Sequence, residues 1–133
     1  MAGSALDTAK VHPLRPPRVV VAVADRRFAR LASFLLGRRG FEVHTTKRPR
    51  ELLELLDRRS ADAVILDGTG SFTEAARLAG AVEALHPETT VIVVAEDTHA
   101  VEPLHNLQLF PKWSGFDALA QNIERAHLGG LAS

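Results

Sequence analysis

The chain has 133 residues, 46% of them hydrophobic and 24% charged, which fits one globular domain with a core of its own. It contains no cysteine, so disulfide bonds, thiolate catalysis and cysteine-bound metal centres are excluded. The net charge is zero, yet residues 1–59 carry 13 basic and 6 acidic side chains, against 3 and 10 in residues 60–133.

The first part of the chain predicts an arm, a strand, a helix and a second strand. Residues 1–17 contain three prolines and no periodic apolar pattern, which indicates a flexible arm. The apolar run Arg18–Ala24 is typical of a strand that is buried on both faces of a parallel sheet. Apolar residues at helical spacing predict a helix over Arg26–Arg39, which Gly40 ends, and Phe41–Thr45 is the second strand.

The middle of the chain repeats this alternation. Pro49 suits the first turn of a second helix, because the N–H that proline lacks would have no helical partner there. Ala63–Asp67 is a short apolar strand that ends in a carboxylate. Ser71 and Glu74 have the spacing of a capping box, which predicts that a third helix begins near Phe72.

The last part of the chain predicts two more strands and two more helices. Thr90–Ala95 is a continuous apolar run and forms the fourth strand. The segment Asp97–Leu107 contains a proline and few apolar anchors, so the fourth helix is expected to be short or irregular. Leu107–Phe110 is the fifth strand, and apolar spacing predicts a fifth helix over Ser114–His127.

Five strands that alternate with helices define the fold class. Residues 18–128, followed by a tail at 129–133, are predicted to form a single α/β doubly wound domain with a five-stranded parallel sheet and helices on both faces. The common strand order for such a flavodoxin-like sheet is 2-1-3-4-5, and ligands bind outside the carboxyl ends of the strands. This order gathers six residues around one crevice: Asp25, Asp67, Gly68, Val94, Ala95 and Lys112.

Several segments resemble the receiver domains of response regulators in bacterial two-component systems. RVVVAVADRRFARLASFLLGRRGFEV resembles their first strand, first helix and second strand, ADAVILD their third strand, and LFPKWSGFDALAQNIERA their closing strand and helix. The likeness extends over about residues 18–127. It implies a CheY-like fold, in which an aspartate accepts a phosphoryl group from a histidine kinase with the help of a divalent cation.

The resemblance assigns only some of the residues that this chemistry needs. Asp67 falls at the phospho-acceptor position, and Lys112 falls at the position of the site lysine. The two acidic residues that hold the metal in receivers align with Val23 and Ala24, whereas Asp25 comes one residue later and would serve only after a slip in strand register. The site is therefore expected to hold no metal, and to bind Mg²⁺ only if Asp25 is recruited.

The positions that read out phosphorylation in receivers also differ here. The switch hydroxyl at the end of strand four aligns with Val94, which cannot donate a hydrogen bond. The switch aromatic residue aligns with Leu109, and Phe110 follows it. A phosphoryl group on Asp67 would therefore lack its usual partners.

These differences favour a pseudo-receiver, which is a cytoplasmic bacterial signalling module that binds a protein partner without aspartyl phosphorylation. Such a module is not an enzyme and needs no cofactor. In a first alternative, the chain is a stand-alone response regulator that is phosphorylated on Asp67 with Mg²⁺. In a second alternative, which ranks behind both, the basic half of the chain contacts nucleic-acid phosphates. No apolar run is long enough to span a membrane.

Two surfaces are candidates for the partner contact. Trp113 and Phe110 lie near the fifth strand, and tryptophan is enriched among the residues that dominate interface energies. This first surface would also suit a homodimer. The second surface is formed by basic residues of the first helix, namely Arg26, Arg27 and Arg30.

Overall fold

A parallel sheet of five strands forms the centre of the molecule. The structure is a computed structural model that describes residues 16–96 and 108–132, the last five of these by their backbone alone. The strands are β1 (Arg18–Ala22), β2 (Glu42–Thr46), β3 (Ala63–Asp67), β4 (Thr90–Ala95) and β5 (Gln108–Pro111). They pair in parallel in the order β2-β1-β3-β4-β5, which confirms the predicted fold class and strand order.

Helices cover both faces of this sheet. Within the described ranges they are α1 (Arg26–Arg38), α2 (Leu52–Arg58), α3 (Phe72–Leu85) and α4 (Phe116–Ala132), and a 3-10 turn at Pro49–Glu51 precedes α2. The α4 helix is the fifth helix that the sequence predicts. The predicted fourth helix at Asp97–Leu107 lies outside the described residues, as does most of the predicted arm. No helix in the described ranges is both long and apolar enough to cross a membrane.

The strands are apolar along their whole length because both of their faces are covered. Val19 and Val21 of β1 belong to a first core cluster, to which α1 and α4 contribute. Val20 and Ala22 point the opposite way, into a second cluster to which α2 and α3 contribute. All four side chains are almost completely buried.

Side-chain caps fix where α1 and α3 begin. The carboxylate of Asp25 accepts a hydrogen bond of 3.1 Å from the backbone N–H of Phe28. The hydroxyl of Ser71 accepts one of 3.3 Å from the N–H of Glu74, at the position where the sequence predicts a cap. The first of these caps also places Asp25 directly beyond the end of β1.

Some boundaries differ from the predicted ones. The β1 strand ends at Ala22 and not at Ala24, because the chain turns there to bring Asp25 to the cap of α1. The β2 strand begins and ends one residue later than predicted, and β5 ends at Pro111 and not at Phe110. The α4 helix begins after Gly115, whose φ of +69° is not helical. The helix then continues to Ala132 instead of ending near His127. Gly129 and Gly130 do not stop it, because a glycine within a helix costs only about 1 kcal/mol.

Candidate functional site

Three charged side chains meet beyond the carboxyl ends of the strands. Asp25 caps α1 after β1, Asp67 is the last residue of β3, and Lys112 follows β5. The backbone N–H of Lys112 donates to the carbonyl oxygen of Ala95 at 2.9 Å, which holds the lysine beside the end of β4. The structure therefore brings together the three charged residues that the sequence places at one crevice.

The ammonium group of Lys112 bridges the two carboxylates. Its Nζ lies 2.8 Å from Oδ2 of Asp25 and 2.7 Å from Oδ2 of Asp67. Only 4% of the Lys112 side chain is exposed, so this buried charge depends on its two partners. The same nitrogen lies 5.9 Å from the ring centre of Phe28 and 5.2 Å from that of Trp113, and both aromatic rings attract a cation. We call Asp25, Asp67 and Lys112 the Lys112 cluster.

The two carboxylates keep Lys112 in its charged form. Burial is the largest single influence on the pKa of Lys112 and lowers it, but the hydrogen bonds to Asp25 and Asp67, with their negative charges, raise the pKa above its usual value overall. In return, the hydrogen bond from Lys112, followed by that from the N–H of Phe28, lowers the pKa of Asp25. The cluster therefore contains one cation for two carboxylates.

Asp67 has hydrocarbon on both neighbouring strands. It pairs with Val94 on β4, and Val23 comes directly after the last β1 residue that pairs with β3. Val23 is 2% exposed, Val94 is fully buried, and both belong to the first core cluster. The Oδ1 atom of Asp67 accepts a hydrogen bond of 2.8 Å from the backbone N–H of Thr69. One backbone group and the ammonium of Lys112 thus satisfy this carboxylate.

These residues do not fit a magnesium ion. Mg²⁺ requires oxygen ligands in near-octahedral geometry and usually keeps several waters, whereas an ammonium group stands between the two carboxylates here. Of the two aligned metal positions, Val23 is buried in the core, and Ala24 is exposed and has no donor atom in its side chain. Within residues 16–96 and 108–132, no group of three or more histidine, cysteine or acidic side chains is arranged to hold a metal.

Asp25 reaches the cluster without a slip in strand register. The pairing of β1 with β3 leaves Val23 next to Asp67, as in the ungapped alignment. Asp25 enters instead from the cap position of α1, where one carboxylate oxygen accepts from the N–H of Phe28 and the other contacts Lys112. The capping position therefore lets the Asp25 side chain reach Lys112, and the shift in strand register expected from the sequence is not needed.

Gly68 allows the chain to pass close to its neighbours directly after Asp67. Its N–H donates to the carbonyl oxygen of Val94 at 2.7 Å. A Cβ atom at this position would lie 3.0 Å from Cδ1 of Phe72 and 3.0 Å from Cγ1 of Val93, which is too close for ordinary packing. Packing therefore accounts for this glycine.

Hydrogen bonds link three loops across the crevice. The Thr69 hydroxyl accepts a hydrogen bond of 3.3 Å from the N–H of Glu96, and the Glu96 carboxylate accepts one of 3.1 Å from the indole N–H of Trp113. The Trp113 ring also packs edge-on against Phe28, with 5.7 Å between the ring centres, and remains 46% exposed. The sequence singles out Trp113 but not Thr69 or Glu96, because bonds between loops leave no periodic pattern.

The remaining candidate residues lie on β5 and α1. Leu109 packs against the second core cluster and Phe110 against the first, so the two face opposite sides of the sheet. Arg26, Arg27 and Arg30 are exposed on α1. Their side chains have neither an ion pair nor a hydrogen bond with the described part of the chain.

Comparison with known proteins identifies the fold. No family model matches the chain, and no curated protein matches its sequence. Solved structures do match it. The response regulator TrrA of Thermotoga maritima, solved in complex with Mg(2+)-BeF, has a TM-score of 0.71 at 20% identity, with 83% of this chain and 98% of that chain covered. A Francisella receiver domain has a TM-score of 0.69 at 19% identity, with 83% and 95% covered.

A longer protein contains the same fold as a part. NtrX of Brucella abortus, solved in complex with ADP, matches with a TM-score of 0.71 at 20% identity. The match covers 88% of this chain but 27% of NtrX. At such low identities the likeness establishes the fold, and that fold is the one of a receiver domain.

Proposed function

We propose that this chain is a receiver-type signalling module of a bacterial cytoplasmic pathway, and that it binds a protein partner without phosphorylation of Asp67. The receiver fold supports the signalling role. One observation carries the rest: Asp67 has the hydrocarbon side chains of Val23 and Val94 on its two neighbouring strands, and the ammonium of Lys112, 2.7 Å away, is shared with Asp25. The proposed role is that of a binding protein and not of an enzyme.

Electrostatics oppose phosphoryl transfer to Asp67. An attacking carboxylate must approach a phosphoryl group whose oxygens are negative, so the site has to supply compensating positive charge. Lys112 is already shared by two carboxylates. A metal ion would add several kcal/mol of stabilisation, but Val23 and Ala24 offer it no ligand. We therefore expect Asp67 to remain unmodified.

Among the described residues, the β4 neighbour of Asp67 also differs from the switch residue of receivers. Val94, its partner on β4, has no hydroxyl group to bind a phosphoryl oxygen, and its side chain is fully buried in the core. Hydrogen bonds already join Thr69, Glu96 and Trp113 across the loops. Such a module is expected to keep one loop arrangement, which its partner would recognise.

Intact-mass measurement tests this proposal. The chain is incubated with acetyl phosphate and Mg²⁺, and its mass is expected to stay unchanged. The receiver domain of TrrA serves as the positive control for the reagents. Asp67→Asn is the matched variant, because it keeps the shape of the side chain and removes the nucleophile. A mass gain in the natural chain that is lost in Asp67→Asn would overturn the proposal.

That outcome would establish the first alternative, a phosphorylated stand-alone response regulator. One feature favours this alternative: Asp25 shares Lys112 with Asp67, so the two carboxylates lie close to each other. Repeating the incubation with Asp25→Asn separates the two cases. A functional site that recruits Asp25 would lose its mass gain in this variant, whereas an inert site would show none in either chain.

The outward face of α1 is the partner surface that charge and exposure favour. Phe34 is 61% exposed in the middle of this face, and the guanidinium of Arg38 lies 5.6 Å from its ring centre. The helix buries the opposite side against the core. An acidic protein surface with an apolar socket for Phe34 would complement this face, which also includes Arg26, Arg27 and Arg30.

The same arginines are the feature that favours the nucleic-acid alternative. Their guanidinium groups are exposed and have no partner within residues 16–96 and 108–132, so they would contact phosphates, and such binding weakens steeply as salt is added. We expect no binding of double-stranded DNA at physiological salt. Salt-sensitive DNA binding that disappears on charge reversal at Arg26, Arg27 and Arg30 would replace the protein partner by a nucleic acid.

A further inference from the structure

A groove runs along α3, on the opposite face of the sheet from α1. Its volume is about 570 Å³, and it lies between the 3-10 turn and α3, lined by Pro49, Arg50, Glu74, Arg77, Leu78 and Ala81. This volume is in the range of small-molecule sites. Neither the Lys112 cluster nor the α1 surface accounts for it.

The α3 helix carries more apolar surface than its core contacts use. It packs against the core through Ala75, Ala79 and Val82, and in part through Phe72 and Leu78. A second apolar stripe follows on the adjoining side at helical spacing, and Leu85 at its end is 62% exposed. Leu78 and Ala81 of this stripe line the groove. The stripe therefore gives the groove an apolar wall that water partly contacts.

A narrow cavity continues the groove inward to the sheet. Its volume is about 140 Å³, and it shares Pro49, Glu74 and Leu78 with the groove. Ala22 of β1, Leu66 of β3 and Ala75 give its wall an apolar part, and the polar residues Asp67, Thr69 and Ser71 also line it. Ligands of such sheets bind at the switch point between these two strands. A cavity of this size accepts a benzene-sized group, whereas a helix of ~10 Å diameter would not enter, so a slender apolar group fits it.

The mouth of the groove is cationic. Arg50 and Arg77 are exposed, and among the residues that the structure describes neither side chain has an ion pair or hydrogen bond. The neighbouring Arg48 does have a partner, since its guanidinium lies 3.4 Å from the Glu51 carboxylate. Glu74 supplies the one acidic side chain of the groove lining. The charge at the mouth therefore suits an anion.

We propose that this groove binds a small amphipathic anion, with an alkyl or aryl chain in the inner cavity and a carboxylate or phosphate head between Arg50 and Arg77. The groove would give the module a ligand input of its own. This inference does not require phosphorylation of Asp67, although Asp67 also lines the inner cavity. Intact mass tests whether Asp67 is phosphorylated, and titration of the probes tests the groove, so either proposal can fail without the other.

Three probes that share one chain and differ in their head group test this inference. Decanoate, decanol and decylammonium are titrated into the ¹⁵N-labelled full chain at concentrations at which they do not aggregate, and amide shifts are followed. Decanoate is expected to bind roughly three- to tenfold more tightly than decanol, as two exposed ion pairs allow, and decylammonium more weakly than both. The largest shifts are expected at Leu78 and Ala81.

Matched variants separate the head group from the chain. The double variant Arg50→Gln and Arg77→Gln should bind decanoate no better than decanol while it still binds decanol. The control double variant Arg58→Gln and Arg125→Gln removes the same charge from exposed positions outside the groove, and it should keep the preference for decanoate.

A block of the groove provides an independent check. Ala81→Trp places a large ring on the groove wall, on the side of α3 that adjoins its core-facing side, and should weaken binding of all three probes by about tenfold or more. Equal affinities for the three probes would overturn the inference. So would shifts that do not saturate or that cluster around Phe34, because they would show adsorption of the alkyl chain to any exposed apolar group.

Discussion

The two ends of the sheet both bury charge, but they satisfy it differently. At the end where the strands begin, the Arg18 guanidinium donates to the carbonyl oxygens of Arg59 and Ser60 at 2.9 and 3.1 Å. The carboxylate of Asp62 accepts from the backbone N–H of Arg18 at 2.7 Å and lies 3.0 Å from Nδ1 of His127. At the end where the strands finish, the ammonium of Lys112 is held by two carboxylate side chains and by no backbone carbonyl of the described residues.

This difference distinguishes the structural contacts of Arg18 from the candidate functional site around Lys112. Backbone carbonyls are fixed by the fold and do not titrate, so Arg18 keeps these two partners at any pH, in addition to an ion pair of 3.5 Å with Glu42. Lys112 depends on two carboxylates, each of which a single substitution or a change of pH removes. The first arrangement connects chain segments, whereas the second concentrates charge in a crevice that solvent reaches.

Removal of the central cation should have the largest effect. Lys112→Met leaves two carboxylates that are only 30% and 13% exposed without their shared partner. We expect the free energy of unfolding in urea to fall by about 2–3 kcal/mol, below the full cost of an unpaired buried charge because solvent reaches both carboxylates in part.

A second substitution checks that this loss is electrostatic. Asp67→Asn added to Lys112→Met removes one of the two unpaired charges and should restore part of the lost stability. If the double variant were as unstable as the sum of the two single variants, the loss would come from packing of the lysine chain and not from its charge.

The corresponding substitution at the opposite end should have a smaller effect. Arg18→Met keeps an apolar chain in a buried position and leaves the carbonyl oxygens of Arg59 and Ser60 without this donor. We expect a loss of about 1–2 kcal/mol in urea unfolding at neutral pH. A loss greater than that of Lys112→Met would reverse the ranking of the two ends.

The pH dependence of stability should distinguish the two ends next. The pKa of folded Asp25 is below 3.8, so Asp25 contributes to the stability of the fold above that pH, and this contribution is lost as pH falls through the folded pKa. The pKa of folded Lys112 is above 10.5, so its contribution is present below that value and is lost as pH rises through the folded pKa. Urea unfolding of Lys112→Met, compared with the natural chain, should lack the alkaline decline, and Arg18→Met should retain it.

A substitution at Trp113, in the loop after β5, should have the smallest effect on stability. Trp113→Phe keeps an aromatic ring but removes the N–H that donates to Glu96 at 3.1 Å. Because this bond is exposed, we expect a loss of about 0.5 kcal/mol, with faster amide exchange confined to the loops after β4 and β5. Global acceleration of exchange would show that the ring itself holds the domain together.

Most of the fold could be predicted from local patterns. The apolar runs of β1, β3 and β4 indicate strands buried on both faces, and the cap at Ser71 marks the start of α3. The residues at which helices and strands begin and end could be predicted less closely, because backbone geometry decides them. Gly115 delays the start of α4, and Gly129 and Gly130 do not end the helix.

The site was predictable in its members but not in its contacts. Strand order alone brings Asp67 and Lys112 to one edge. The reach of Asp25 depends on the cap of α1, which sets the direction of its carboxylate, and the sequence pattern did not include that geometry. Thr69 and Glu96 belong to the site through bonds between loops distant in sequence, which no spacing rule detects.

The chain contains a single tryptophan, and it stands where the three loops meet. Trp113 is therefore a natural fluorophore at the mouth of the crevice, in contact with Phe28 on one side and with solvent on the other. Coverage of its exposed part by a bound molecule would move its emission to shorter wavelength, and solvation of the ring after the Glu96 bond breaks would move it to longer wavelength. The protein thus carries an optical reporter of its own crevice, which needs no added dye.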